Sequence, residues 1–227
     1  KNLIPTEEYV NAFEEAPDTH PAGLDYDPRR YATIYEDGDT IVYLPETGRT
    51  PVAWQANLHT NVSITEGYGW KKYFYPSHFS NNGPTNLKLM RYYDVLLLLA
   101  EAELLGNGNV ARAAELINQV RERARNNYEI IYEEAAPEGL LPDRPSDVSV
   151  DQMHEWLRHE RRVELALETH RYDDLVRWHR AGIISIPTDV DFGNTLANQN
   201  WNERHLLKPI RQRELDNNPN MEQNDGY

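Results

Sequence analysis

The sequence predicts a mainly α-helical protein built on short-loop helical hairpins, with extensive irregular loops and minor β structure. Three observations predict it. Apolar residues recur at helical spacing from Leu89 and again from Ala113. A serine cap stands before a third apolar stripe that starts at Met153. The region ahead of Leu89 is instead dense in Pro, Gly, Asn, Asp and aromatics, the composition of turns and loops.

Residues 1–88 read as a loop-rich, aromatic segment, in which short candidate strands such as Thr40-Ile41-Val42-Tyr43-Leu44 stand between turn signals such as Asp37-Gly38. From Leu89 the period becomes helical: Leu89, Tyr93, Leu96, Leu97, Ala100 and Leu104 share a face, and Gly106 supplies a stop. The turn Gly106-Asn107-Gly108-Asn109 leads into a second stripe, Ala113, Ile117, Val120 and Ala124, with Asn109 placed to cap it. Residues 89–125 are therefore an antiparallel helical hairpin the size of one tetratricopeptide-type unit. Residues 126–148 hold Pro137, Pro142 and Pro145 and form a connection. Ser149-Val150-Asp151-Gln152 reads as a capping box, and the helix it opens carries Met153, Trp156, Leu157, Val163 and Leu165 to about Glu168. A shorter helix from Arg171 to Arg180 ends near Gly182 and completes a helical segment over 149–182. Residues 183–227 are an irregular tail.

The 227 residues include 23 basic and 37 acidic side chains, a formal net charge of −14. That charge repels phosphate backbones and anionic membrane surfaces, so no nucleic-acid partner is expected. Without cysteine there is no disulfide, thiolate nucleophile or Cys-based zinc site. The longest wholly apolar run, Val95 to Ala100, is far too short to span a bilayer, and the start at Lys1 lacks a signal-peptide pattern. A first residue other than Met leads us to expect that the chain represents part of its protein.

Two constellations invite a chemical reading. His154-Glu155-Trp156-Leu157-Arg158-His159 superficially resembles a zinc-protease helix. Two imidazoles on one helical face need an i, i+4 relation, and these stand about 140° out of register. No other metal-ligand spacing, phosphate loop or nucleophile elbow occurs, so neither metal nor cofactor is expected and no catalytic residue is assigned. The second constellation is the charge-dense run from Glu160 to Trp178. Paired carboxylates serve glycosidase chemistry when their pKa values are pushed apart. Here every carboxylate has an arginine close in sequence, which favours ionised, paired side chains. Glu160, Arg161, Glu164, Arg171 and Asp174 are expected to brace the helix ending near Glu168 against the one starting at Arg171.

The same run, Glu160-Arg161-Arg162-x-Glu164-Leu165-Ala166-x-Glu168-x-His170-Arg171-x-x-Asp174-Leu175-x-Arg177-Trp178, resembles the C-terminal signature of the SusD/RagB family of outer-membrane nutrient-binding lipoproteins. Asp27-Pro28-Arg29, Arg91-Tyr92-x-Asp94 with Ala100-Glu101-Ala102, and Leu116-Ile117-Asn118-x-Val120-Arg121-x-Arg123-Ala124 extend the resemblance. So does the ending, Leu207-x-Pro209-Ile210 with Asn218-Pro219-Asn220 and Gln223-Asn224-x-Gly226-Tyr227. Thr169 departs from it, standing where the family usually has Gly, as do Arg211 and Asp225 where Pro is usual. The resemblance implies that residues 1–227 are the C-terminal portion of one SusD-like domain, built on tetratricopeptide-like helix pairs. It implies a surface-exposed protein of the cell outer membrane, lipid-anchored through an N-terminus outside this chain and seated on a SusC-like TonB-dependent transporter. Such proteins bind without catalysing; most take oligosaccharides and a minority, of the RagB type, take oligopeptides.

Trp54, and Tyr68-Gly69-Trp70-Lys71-Lys72-Tyr73-Phe74-Tyr75, lie in the loop-rich segment. A sugar ring presents an apolar C–H face that stacks on Trp or Tyr while Asn, His and Lys meet its hydroxyls. Trp54, Tyr68, Trp70, Tyr73 and Asn57 are therefore the candidate ligand-binding residues, with His59 and Lys71 beside them. Aromatics at spacing two equally describe one buried strand face, so a core role stays open for them. Capture of an oligosaccharide for import leads the functional readings; capture of an oligopeptide, a glycoside hydrolase and a pure protein-binding scaffold are the alternatives. Finally, Leu96, Leu97, Leu98 and Leu99 span about 300° of a helix, so that helix needs cover on several sides. A missing N-terminal segment of the same protein is expected to supply part of it, and the chain is expected to fold poorly alone.

Overall fold

The computed structural model describes residues 5–16, 25–42, 50–53, 68–73, 86, 88–190 and 201–227. The chain divides into two compact units, Lys1–Arg171 and Tyr172–Tyr227.

In the first unit, α1 (Glu7–Val10) is capped by Thr6, whose hydroxyl accepts from the Tyr9 amide. In α2 (Pro28–Thr33), Asp27 caps the helix and Pro28 occupies the first turn, where its missing N–H costs nothing. Strands β1 (Ile34–Tyr35), β2 (Thr40–Ile41), β3 (Val52–Ala53) and β4 (Gly69–Trp70) form two small antiparallel pairs, β1 with β4 and β2 with β3. Ile34 stands opposite Trp70.

The centre of the unit is helical. α3 (Tyr92–Asn107) and α4 (Val110–Tyr132) pack as a hairpin, and α5 (Val150–Glu164) lies against both. Leu96, Leu97, Ala100 and Leu104 of α3 meet Ala113, Ile117 and Val120 of α4 and Met153 and Leu157 of α5 in one buried cluster. Truncating one of these large side chains to alanine typically costs about 2–5 kcal/mol. The turn closes on Gly108, whose φ of 62° is the left-handed region glycine enters without penalty. Asn109 then caps α4 by accepting from the Arg112 amide at 3.2 Å.

Three boundaries differ from the periodicity reading. α3 begins at Tyr92, leaving Leu89 exposed ahead of it. α4 runs past Arg125 to Tyr132 because no Gly or Pro interrupts it before Pro137, and because Tyr128 is buried against Leu140 and Leu141. The rest of the connection is tied back to α4: Arg121 Nε donates to the Pro142 carbonyl, and the Asn118 side chain bonds both backbone groups of Arg144. α5 stops at Glu164, since Leu167 and Thr169 take φ of 61° and 66° and no helix continues through left-handed backbone. At its start Ser149 caps the Gln152 amide, whereas the Gln152 side chain turns to Glu155, so only half of the expected capping box forms.

In the second unit, most of α6 (His170–Arg180) carries Leu175 and Trp178 onto Ile186, with Trp201 and Leu206 packed around them. The tail is less irregular than its composition suggests. It holds α7 (Ile186–Asp189), a 3₁₀ turn (Glu203–Leu206) and α8 (Gln212–Asn217). Its end is held by side chains on backbone: Gln223 exchanges two hydrogen bonds with Ile210, and the Tyr227 hydroxyl donates to Leu207. Among the described residues no helix is long and apolar enough to cross a membrane.

Candidate functional site

The site is built outward from α5. Glu160 and Glu164 stand one helical turn apart on the same face of that helix. Both carboxylates are sealed from solvent. Glu160 accepts from Arg29 at 2.5 Å and from Arg121 at 3.1 Å. Glu164 meets Arg123 at 2.5 Å, Arg91 at 2.9 Å and Arg29 at 3.3 Å. Glu168, in the turn after the helix, pairs with Lys72 at 2.5 Å and Arg91 at 2.6 Å. Arg29 is itself fixed by Asp27, which caps α2 through the Arg29 amide and also binds the Arg29 guanidinium. One short Asp-Pro-Arg segment thus starts a helix and delivers a buried cation to α5.

Position decides charge state here. Burial alone would push the Glu160 carboxyl up, but Arg29 and Arg121 beside it outweigh burial and hold it below the usual carboxylate range. Glu168 is governed the same way, with burial opposed by Arg91 and Lys72. Lys72 is pushed down by its own burial, against the pull of Glu168.

The network is lopsided. Asp27, Glu160, Glu164 and Glu168 have side chains at most 2% exposed, whereas Lys72, Arg91 and Arg123 keep 21%, 17% and 24%. These three cations border a cavity of about 120 Å³ that is also lined by Arg29, Asn127 and Glu164. Its remaining wall includes the apolar side chains of Ala32, Ala124 and Val163.

Glu160 and Glu164 find their partners on α2, α4 and Arg91, far away in sequence, because their neighbours along α5 point around the helix. Arg161 turns to the other side and meets Asp94 of α3 at 3.0 Å. In the second unit Asp174 pairs with Arg177 at 2.8 Å; Arg171, the last residue of the first unit, is exposed. Arg29, Lys72, Arg91, Arg121 and Arg123 were not singled out as site residues. They do lie within the family-like stretches and the aromatic run, but single-sequence spacing carries no sign of which carboxylate each will meet.

Of the candidate ligand-binding residues, Trp54 and Asn57 lie outside the described residues. Tyr68 is half-buried against the cluster of Val10, Phe13, Ile34 and Val163. Trp70, also half-buried, rests on Tyr9 with ring centroids 5.4 Å apart, and Tyr9 in turn meets Phe13 edge-on. Tyr73 has a φ of 67° and lies 5.9 Å from the Lys88 ammonium. The chain leaving β4 thus leads from the aromatic cluster at Trp70 to the ion network at Lys72, with both Lys71 and Lys72 donating their amides to the Thr33 carbonyl.

A helical hairpin locked to a third helix by buried arginine–glutamate pairs, with loop aromatics alongside, defines a helical scaffold. The SusD family model matches residues 2–227, and the chain belongs to that family. SusD-like protein P2 of Formosa agariphila is 27% identical over 226 residues, covering 98% of this chain and 42% of that protein. SusD-like protein P38 of the same organism is 34% identical over 143 residues, or 63% of this chain and 25% of that protein. A SusD-like protein from Bacteroides fragilis shares the fold with a TM-score of 0.67 at 24% identity, over 98% of this chain and 46% of that one. A SusD homologue from Bacteroides thetaiotaomicron gives 0.58 at 26% identity, over 88% and 41%. The chain therefore spans less than half the length of these relatives.

Proposed function

We propose that this chain is part of a non-catalytic surface protein that captures oligosaccharides for import, handing them to a SusC-like TonB-dependent transporter from a lipid-anchored position at the outer membrane. Its family membership supports the general role. The observation that carries the reading at residue level is the placement of Trp70: half-buried, seated on Tyr9, in a strand that leads directly to the cation-rimmed cavity. A partly exposed ring supported by a neighbouring aromatic suits stacking against a sugar face. Tyr68 and Tyr73 flank it, and Trp54 and Asn57 complete the proposed surface.

Catalysis is disfavoured by electrostatics. A glycosidase acid must keep its proton near neutral pH, whereas Glu160 and Glu168 are held ionised by guanidinium and ammonium partners. The test is a binding screen of glycans and peptides, repeated with Trp70→Ala and Trp54→Ala. Each substitution should weaken glycan binding by roughly 1–3 kcal/mol in a protein that still folds. Unchanged glycan affinity in a folded double variant would move the site elsewhere. Selective capture of peptides would replace the saccharide reading with the oligopeptide one.

A further inference from the structure

We propose that the cavity rimmed by Lys72, Arg91 and Arg123 is an oxyanion subsite, so that the captured glycan carries an acidic group, a carboxylate or a sulfate ester. This rests on the glycan-binding reading and names the chemistry that the site selects.

The first argument is the direction of the charge asymmetry. The carboxylates paired with these cations, Glu164 and Glu168, are closed to solvent, while Lys72, Arg91 and Arg123 retain about a fifth of their side-chain surface. A group arriving from water therefore meets three cations, and the one carboxylate in the lining, Glu164, is already paired with Arg91 and Arg123. The protein as a whole is strongly acidic, so this is a local inversion of its field.

The second argument counts donors. A lysine ammonium has three N–H groups. Two of those on Lys72 are accounted for, by the Glu164 carbonyl at 2.9 Å and Glu168 Oε1 at 2.5 Å. Arg123 gives Nη2 to Glu164, but its Nε is buried and, among the described residues, has no hydrogen-bond partner. Both residues line the cavity, as does Asn127. An Arg123 Nε without a partner among the described residues, on a partly desolvated cation beside Lys72, matches an oxyanion, which accepts several donors at once; a neutral hydroxyl would return far less.

Size sets the third constraint. At about 120 Å³ the cavity falls below the roughly 300–1,000 Å³ of pockets that enclose a whole small ligand. It admits a single charged substituent while the sugar ring stays outside.

The experiment is calorimetric titration of the protein with three oligosaccharides of matched length, one neutral, one carrying uronate carboxylates and one carrying sulfate esters, at constant ionic strength. The acidic members should bind at least about tenfold more tightly than the neutral one, as a charge-assisted contact does. Arg123→Gln and Lys72→Gln, each checked for folding, should remove the advantage of the acidic ligands over the neutral one. Inorganic sulfate should compete with the acidic ligands in the unaltered protein, a readout that needs no variant. The difference between the uronate and sulfate arms tells which oxyanion fits. If the neutral ligand binds as tightly as both acidic ones, or sulfate fails to compete, the subsite is overturned while glycan capture stands. Binding of none of the three overturns the glycan reading itself.

Discussion

Arg29 Nη1 lies 2.5 Å from Glu160 Oε1, joining the start of α2 to the middle of α5 across 131 positions of sequence. The other oxygen of Glu160 is taken by Arg121 of α4, so one fully buried carboxylate ties three helices together. Taking such charges out of water is costly, and what makes the arrangement tolerable is that every partner is satisfied. Removing one member strands the others. Glu160→Gln should therefore lower stability by about 3–5 kcal/mol, read as a shift in the denaturant midpoint. A wild-type midpoint would show that water or another side chain replaces the carboxylate.

Acid should unfold the protein through the same groups. Glu14, Glu160 and Glu168 all have their carboxyl pKa values lowered, because arginine and lysine partners outweigh the effect of burial. In the unfolded chain they take up protons near the ordinary glutamate value of about 4.3. Below that pH the unfolded state binds more protons than the native one, so stability rises with pH in this window. The contribution is complete above the ordinary value and is lost as pH falls through the depressed native ones. Denaturation midpoints should be flat from neutrality down to about pH 5 and fall steeply below about pH 4.5, with a shallower fall in Glu160→Gln. A variant that keeps the wild-type slope would assign acid sensitivity to other carboxylates.

Thr169 sits at a φ of 66°. A β-branched residue there pays the steric penalty of left-handed backbone, about 1–2 kcal/mol, which glycine avoids. Glycine loses more chain entropy on folding, at most about 1 kcal/mol. Thr169→Gly should thus stabilise the protein by up to about 1 kcal/mol, measurable as a raised melting temperature. A loss of stability would mean that the threonine side chain holds this turn by a contact that outweighs the strain.

The outer face of α3 is apolar and exposed. Tyr92, Val95, Leu98, Leu99 and Leu105 follow one stripe of the helix, with 38% to 67% of their surface in water. Expressed by itself, the 227-residue chain should bind a hydrophobic dye, because contiguous exposed apolar surface of this kind does. Leu99→Lys with Leu105→Lys should abolish most of the signal and leave the melting temperature nearly unchanged. Dye binding that survives the double change would place the responsible surface elsewhere.

The periodic parts of the fold were legible in the sequence. Leu96, Leu97, Ala100 and Leu104 name the inner face of α3, Ala113, Ile117 and Val120 that of α4, and Asn109 and Ser149 the caps that start two helices. These are local properties: a helical period and a cap each involve residues within a turn or two. The run of four leucines also announced a helix apolar on both sides, and the structure buries Leu96 and Leu97 while exposing Leu98 and Leu99.

What no local rule reaches is pairing. The charge-dense stretch of α5 was visible, together with the expectation that its carboxylates would be ionised, yet Glu160 and Glu164 pass over the arginines beside them for Arg29, Arg91, Arg121 and Arg123. Adjacent residues on a helix diverge by about 100°, so nearness in sequence turns Arg161 toward Asp94 and away from its own glutamates. The extension of α4 to Tyr132 likewise depends on Leu140 and Leu141 folding back over Tyr128. Sequence alone determined the long helices α3, α4 and α5, their inner faces and the family. Only the tertiary structure decided which charges meet, because ion-pair energy falls off with distance in space and is blind to distance along the chain, and so left Lys72, Arg91 and Arg123 at the rim with their carboxylates behind them.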